Sequence, residues 1–346
     1  MKKILTICLI ILATTAMGQN PKAKYIFYFI GDGMGSMHVE LGGSDSLTFT
    51  QFPVHGTLTT HSSSDKITDS AAGGTALATG SKTSNGTIAM KEDHLTPLYS
   101  VAHDAHKAGL KVGIMTTVSI DHATPATFFA HAPKRSMSYL IASQLPTTGF
   151  ELFAGSGFVQ PKELFKTFAD SSYSIVRGRK AELTGSKVIW IQDEGKSVGE
   201  LPFAVDRKAD DMMLPEMTER AIEFLAADTT KGFFMMIEGG LIDWAAHANN
   251  GTKVRGEVQD LSQAVAHAVE FYKAHPTQTL IIITADHETG GLSLNPVHFS
   301  SGDHTSTPVP IYAIGVGAEK FSGNKDNTSV ARGVREVIFG TKDTKK

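Results

Sequence analysis

Tyr25-Ile-Phe-Tyr-Phe-Ile30, followed at once by Gly31-Asp32-Gly33-Met34-Gly35, decides how the rest of the chain is read. An apolar run without polar alternation describes a strand covered on both faces, as in the parallel sheets of α/β proteins. Val112-Gly-Ile-Met-Thr116, Phe233-Phe-Met-Met-Ile237, Leu280-Ile-Ile-Ile-Thr284 and Ile311-Tyr-Ala-Ile314 repeat that pattern. Helical periodicity separates these runs from Pro97 to Lys107, with Gly109 as a stop, from Asp211 to Ala226 and from Glu257 to Ala274. The alternation predicts an α/β fold, a three-layer sandwich with a mostly parallel central sheet flanked by helices. The stretch from about Gly149 to Val205 is richer in Gly, Lys and Ser, and is expected to decorate the sheet. The polar tail from Thr341 to Lys346 is expected to fray.

Composition narrows the function classes. The chain has 346 residues, 41% hydrophobic and 19% charged, and a net charge of −3. That is globular, and the absence of a basic surplus excludes a nonspecific nucleic-acid binder. The first 18 residues read as an address: Lys2 and Lys3, an apolar run from Ile4 to Ala13, then Ala16-Met17-Gly18 as a small-x-small cleavage site. The run is too short for a retained anchor, which needs about 20 residues, and apolar residues continue past Cys8, against a lipoprotein. We therefore expect a signal peptide at 1–18 and one catalytic domain at 19–346, exported to the periplasm or secreted, with no membrane anchor. Losing Lys2 and Lys3 moves the balance from −3 to −5, and losing Cys8 removes the only cysteine. Such a chain must be held by its core or by metals.

Ligands of open α/β sheets collect past the carboxyl ends of the strands, and acidic residues recur there. Asp32 follows the first run; Glu238, then Asp243 and His247, follow Phe233–Ile237; Asp286-His287-Glu288 follows Leu280–Thr284. One such carboxylate is ordinary turn chemistry, but three strands ending this way, two with histidine nearby, point to a metal centre. Mixed imidazole and carboxylate suits zinc, and oxygen-only corners suit magnesium. Asp243 and His247, four apart, share one helix face. In Thr68-Asp69-Ser70-Ala71-Ala72-Gly73-Gly74, Asp69 or Ser70 caps a helix of very small residues. Ser70 then lies over the positive helix end, a seat for a phosphoryl group.

Taken together, Asp32, Thr68-Asp69-Ser70-Ala71-Ala72, Asp121-His122-Ala123-Thr124-Pro125-Ala126, Ala130-His131 through Arg135, Glu238 with Asp243 and His247, Thr284-Ala285-Asp286-His287, and His304 resemble the alkaline phosphatase family. They occur in the family's order from about Lys24 to Gly315. The resemblance implies hydrolysis of small phosphate monoesters through a phosphoserine on Ser70. It implies a first zinc on Asp243, His247 and His304 that activates water, and a second on Asp32, Asp286 and His287 that activates Ser70. It implies one magnesium on Asp32, Thr124 and Glu238. Arg135 would clamp phosphate as a planar fork, positioned by Asp69. The sequence departs from the enterobacterial pattern at His122, where that pattern has Asp, and at Trp244, where it has Lys. Only 18 positions separate Asp286 from His304, so the crown insertion at the dimer interface of longer members is absent, and a homodimer is the less secure part of the likeness. Two other readings stand beside this one: a phosphodiesterase or nucleotide pyrophosphatase on the same metal scaffold, and a non-catalytic metal- or phosphate-binding envelope protein. The remaining histidines, His38 among them, are given surface or structural roles.

Overall fold

In the computed structural model the described residues are 22–169, 171–192 and 199–340. The expected signal peptide, its cleavage site and the tail lie outside them. Ten strands form one sheet: β1 (Tyr25–Gly31), β2 (Val54–Thr59), β3 (Lys111–Thr116), β4 (Leu152–Gly155), β5 (Ser174–Arg177), β6 (Val188–Ile191), β7 (Phe233–Gly239), β8 (Thr279–Thr284), β13 (Val309–Gly315) and β14 (Gly323–Asp326). Between β8 and β13 lie the short strands β9 (Glu288–Thr289), β10 (Leu292–Leu294), β11 (Val297–Phe299) and β12 (His304–Thr305), which form two small ladders, β10 with β11 and β9 with β12. The sheet order is β14-β2-β13-β8-β1-β7-β3-β4-β6-β5. Only β13 runs antiparallel to its neighbours, β2 and β8.

Helices cover both faces. One group contains α1 (Ser36–Gly42), α7 (Leu214–Ala226), α8 (Leu241–His247) and α9 (Gly251–Ala274); α1, α7 and α8 each pack on α9. The other contains α2 (Ser70–Thr79), α3 (Val101–Lys107), α4 (Ala123–Ala126) and α10 (Thr328–Phe339), with α10 against α2 and α3. Two short helices, α5 (Ser138–Ser143) and α6 (Pro161–Phe168), pack on each other. Neighbouring residues of β1 show why its sequence does not alternate. Phe27 meets Phe271 of α9 at 5.7 Å between ring centroids. The next residue, Tyr28, meets Phe128, just past α4, at 5.7 Å on the other face. Both faces are buried, so both sets of side chains are apolar. Among the described residues no helix is long and apolar enough to cross a membrane.

The five expected strands are present, while the expected helices shift at their starts. The helix expected from Pro97 begins at Val101, because Ser100 caps it by accepting from His103 N. The one expected from Asp211 begins at Leu214, with Pro215 in its first turn. The one expected from Glu257 begins at Gly251, capped by Asn250, whose side chain accepts from Lys253 N at 3.1 Å. The stretch from 149 to 205 is more than decoration: it contributes β4, β5 and β6, which build out one end of the sheet.

Candidate active site

The order β8-β1-β7-β3 sets four parallel strands side by side. Ile30 pairs with Glu238 on one side and Thr284 on the other, and Thr116 pairs with Glu238. Asp32, Glu238 and Asp286 are therefore delivered to one place by register alone. Asp243 and His247 arrive on the first turns after β7, and His304 on β12. Each of Asp32, Glu238, Asp286 and His287 is fully buried, and Asp243 is nearly so.

Among the described residues three groups emerge, each with ligand atoms within 4.8 Å of one another: Asp243, His247 and His304; Asp32, Asp286 and His287; and Asp32, His122 and Glu238. Asp32 belongs to two of them. Thr124 Oγ1 donates to Asp32 Oδ2 at 3.2 Å and Asp286 Oδ2 at 3.4 Å. Asp32 Oδ1 and Glu238 Oε1 are buried with no hydrogen-bond partner. His287 Nε2 lies 3.3 Å from Asp32 Oδ1 and 3.4 Å from Asp286 Oδ2. His247 Nε2 and His304 Nε2 face each other at 3.1 Å, while their Nδ1 atoms meet the carbonyls of Gly302 (2.5 Å) and Thr68 (2.9 Å). An Nδ1–H bound to a carbonyl turns Nε2 towards the group; on His304 it leaves Nε2 a lone pair, and His247 Nε2, 3.3 Å from Asp243 Oδ2, holds a proton there that a metal ion would replace. Ring nitrogens and carboxylate oxygens gathered this closely, with buried oxygens of Asp32 and Glu238 unpaired, fit cations.

The electrostatics agree. Burial, then the neighbouring Asp286, Asp243 and Glu238, raise Asp32 well above the carboxylate range. Burial pushes Glu238 up to about 8 and Asp286 up to about 6. Burial lowers His287 to about 4 and His122 to about 3, the latter helped by Arg135. Asp243, despite burial, is pulled well down by its hydrogen bond to His247 and by the imidazoles around it. That same hydrogen bond raises His247 to about 9.

Ser70 opens α2, with Asp69 as its cap. Asp69 Oδ1 accepts from Ala72 N at 3.0 Å; Oδ2 accepts from Gly86 N at 3.0 Å and from Arg135 Nη1 at 3.1 Å. The Ser70 hydroxyl is 3.2 Å from His287 Nε2. Arg135 Nη2 donates to His122 Nε2 at 3.3 Å, and Trp244 lies edge-on to His122 at 6.1 Å. The expected site residues thus converge. Sequence reading missed Thr116, which donates to Glu238 Oε2. It also missed Thr289, which donates to Asp243 Oδ1 at 2.6 Å and sits 3.3 Å from His287 Nδ1. A signal existed for Thr116, a polar residue closing an apolar strand like the acidic ones, but hydroxyls are common at strand ends.

A match to the alkaline phosphatase family model covers residues 23–151 and 162–298. The chain is 34% identical over 306 residues to alkaline phosphatase 4 of Bacillus subtilis, covering 82% of this chain and 65% of that protein. It thus spans less than two thirds of that relative's length. The solved alkaline phosphatase of the Antarctic bacterium TAB5 superposes with a TM-score of 0.83 at 30% identity, covering 92% of this chain and 98% of that one. A variant of that enzyme with Glu in place of a histidine, similar at the same TM-score of 0.83 and 30% identity over 92% of this chain and 99% of that one, has Mg bound in its M3 site.

Two expectations follow from this geometry. A Cβ on Gly73 would stand 2.8 Å from the Asp286 carbonyl oxygen. Gly73→Ala improves helix propensity by about 1 kcal/mol, but overpacking costs about 1–3 kcal/mol, so urea unfolding should show net destabilisation and turnover should fall. The second concerns pH in the metal-free protein. Glu238 keeps its proton to about 8 in the fold, and an unfolded Glu loses it near 4.3, so its contribution drops as pH rises through that window. His247, raised to about 9, contributes fully below about 6.5 and loses that contribution as pH climbs through 9. The melting temperature of the metal-free protein should fall from about pH 6 to 9, and divalent cations should flatten the fall by favouring ionised carboxylates. A flat or rising metal-free curve contradicts this assignment.

Proposed function

This chain belongs to the alkaline phosphatase family, and from that premise we propose that it hydrolyses phosphate monoesters through a phosphoserine on Ser70, using two zinc ions and one magnesium ion. The observation that carries the reading is the meeting of nucleophile and clamp. Ser70 stands at the positive end of α2, while Arg135 is held by the helix cap Asp69 and by His122.

Asp243, His247 and His304 would hold the first zinc, and Asp32, Asp286 and His287 the second. Asp32, Thr124 and Glu238 would hold magnesium, with His122 beside them. When bound, these ions lower the pKa of the serine hydroxyl and of a water and offset charge on the phosphoryl oxygens. The chain's own residues supply the rest. Asp69 fixes the Arg135 fork so that its free N–H groups meet two non-bridging oxygens, and the N-terminus of α2 adds its partial positive charge. Ser70 Oγ attacks phosphorus in line, the ester oxygen leaves and takes a proton as the alcohol, and the phosphoryl group stays on Ser70. A water then attacks the same phosphorus from the opposite side, Ser70 Oγ leaves, regains its proton, and inorganic phosphate departs. Magnesium is bound in the M3 site of the Antarctic enzyme's variant, in which Glu replaces a histidine; in this chain the third group includes His122, and an imidazole there favours softer ions than a carboxylate would. The same reading takes residues 19–346 as one catalytic unit, exported after loss of 1–18, acting on small phosphate monoesters and not on nucleic acid.

Ser70→Ala should lose most turnover of p-nitrophenyl phosphate while retaining zinc by elemental analysis. Acid quench of the unsubstituted protein with labelled phosphate should mark Ser70; label elsewhere removes it from the role. Arg135 separates monoesterase from diesterase, because a diester replaces one of the oxygens the fork would hold. Arg135→Ala should weaken monoester and phosphate binding by about 2–3 kcal/mol and leave bis-p-nitrophenyl phosphate hydrolysis nearly unchanged. Equal losses on both substrates would favour a diesterase, and no hydrolysis of either by the unsubstituted protein would favour a binding protein.

A further inference from the structure

Glu288 follows His287 in sequence but belongs to none of the three ligand groups. Its carboxylate is 4% exposed and is surrounded by donors from two segments. Oε2 accepts from Gly291 N at 3.3 Å and from the Thr305 hydroxyl, and Oε1 accepts from Leu292 N at 3.3 Å. The His38 imidazole closes the pocket, with Nδ1 accepting from Gly35 N at 3.2 Å and lying 3.9 Å from Oε1. Gly35 is required there, since a Cβ would run into Glu288 Cγ. A buried polar group costs free energy unless it is hydrogen-bonded, and here the bonds come from the chain that carries two ligand histidines.

The need for such a fixture is visible in the ladder between β9 and β12. It has two residue pairs, His304 with Thr289 and Thr305 with Glu288. Isolated two-stranded pairings are marginal in water, yet this one must hold the His304 ring stacked on His287 at 3.6 Å, with Nε2 3.6 Å from Asp243 Oδ1. The hydrogen bond from His304 Nδ1 to the Thr68 carbonyl orients the ring but does not fix the strand. Backbone bonds join the two segments, from Gly290 N to the Asp303 carbonyl at 2.8 Å and from Ser301 N to the Gly290 carbonyl at 3.2 Å, and Glu288 adds the side-chain tie, with Thr305 bonded to it across the ladder and Gly291 and Leu292 bonded to it along the chain leaving β9.

We propose that Glu288 is a positioning residue for the first zinc site: its carboxylate locks the strand bearing His304 onto the strand that follows His287, and so sets the spacing between the two zinc sites. This rests on the assignment of Asp243, His247 and His304 to one zinc. Glu288 touches neither substrate nor ligand, so its effect is on where His304 sits. A glutamine with its carbonyl in the Oε2 position still accepts from Gly291 N and from the Thr305 hydroxyl, and gives up only the bond to Leu292 N. An alanine makes none of these bonds.

The test is a zinc titration of the full chain against a competing chromophoric chelator. In Glu288→Ala, one of two zinc sites should weaken about 10–100-fold, the scale for residues that orient ligands, while the other keeps its affinity. Glu288→Gln should recover most of the loss, and Thr305→Val, a milder change, should weaken the same site. In a His247→Ala background, where that site is already crippled, adding Glu288→Ala should leave the remaining zinc unchanged. The alanine variant should also carry more phosphate on Ser70 during turnover, because dephosphorylation depends on the first site. Equal weakening of both sites, or a lowered melting temperature with both affinities intact, makes Glu288 a fold stabiliser only and overturns the proposal. If Glu288→Ala does not fold, Thr305→Val with unchanged zinc binding overturns it alone. An unsubstituted protein that binds no zinc fails the family assignment of the site itself, a result distinct from these.

Discussion

Four carboxylates, Asp32, Glu238, Asp243 and Asp286, are buried together where β8, β1 and β7 end, Asp243 on the first turn of α8. Ionised together without counter-charge, they would be prohibitively expensive, since a buried charge is tolerated only when paired or bound to metal. The metal-free fold responds as it must, with Asp32, Glu238 and Asp286 drawn towards their protonated forms. Cations reverse that response. The pocket is therefore a fold-level commitment to metal, made when β8, β1 and β7 are placed side by side in parallel.

Around this constraint the hydrogen bonds have a common purpose, which is to decide where lone pairs point. His247 and His304 spend Nδ1 on the Gly302 and Thr68 carbonyls, and His287 Nδ1 meets the Thr289 hydroxyl. In each case Nε2 is turned inward. Outer partners of this kind fix the tautomer and aim of a ligand before any ion arrives. Asp69 does the equivalent for the phosphate side. One oxygen caps α2, and the other holds Gly86 and Arg135, so the helix that Ser70 opens and the Arg135 side chain are tied to one carboxylate.

Legibility in the sequence followed from how strongly burial constrains each element. The strands of the sheet centre were plain because both faces are covered and no polar residue interrupts them. β5 was not, since Ser174–Arg177 is only half-buried and short, and residues of that kind look like loop. The true start of α9 was hidden by Gly251 and Gly256, poor helix formers that packing and the Asn250 cap carry into the helix. The reversed direction of β13 leaves no mark in its apolar run. The metal residues were legible for a geometric reason: they sit within a few positions of strand ends, where the fold class already puts ligands. Arg135 does not, and only its likeness to a family pattern singled it out. Thr116 and Thr289 carried too common a chemistry to stand out.

Residues 19–346 contain no cysteine, so nothing covalent ties distant parts of that chain together. Ions bound at the three ligand groups would do so instead. The first joins α8 to β12, the second joins the loops after β1 and β8, and the third joins the β1 loop to His122 and to β7. Through Asp32 the second and third are linked, and through the contact of His304 with His287 the first is linked to both. An ion held at 100 times its dissociation constant adds about 2.7 kcal/mol to the native state, comparable to a disulfide at about 2–4 kcal/mol. The arrangement differs from a disulfide in where it acts, since it fastens the strand ends at which the chemistry takes place. Stability and preorganisation of the site are then the same quantity, and loosening any one ligand segment costs both together.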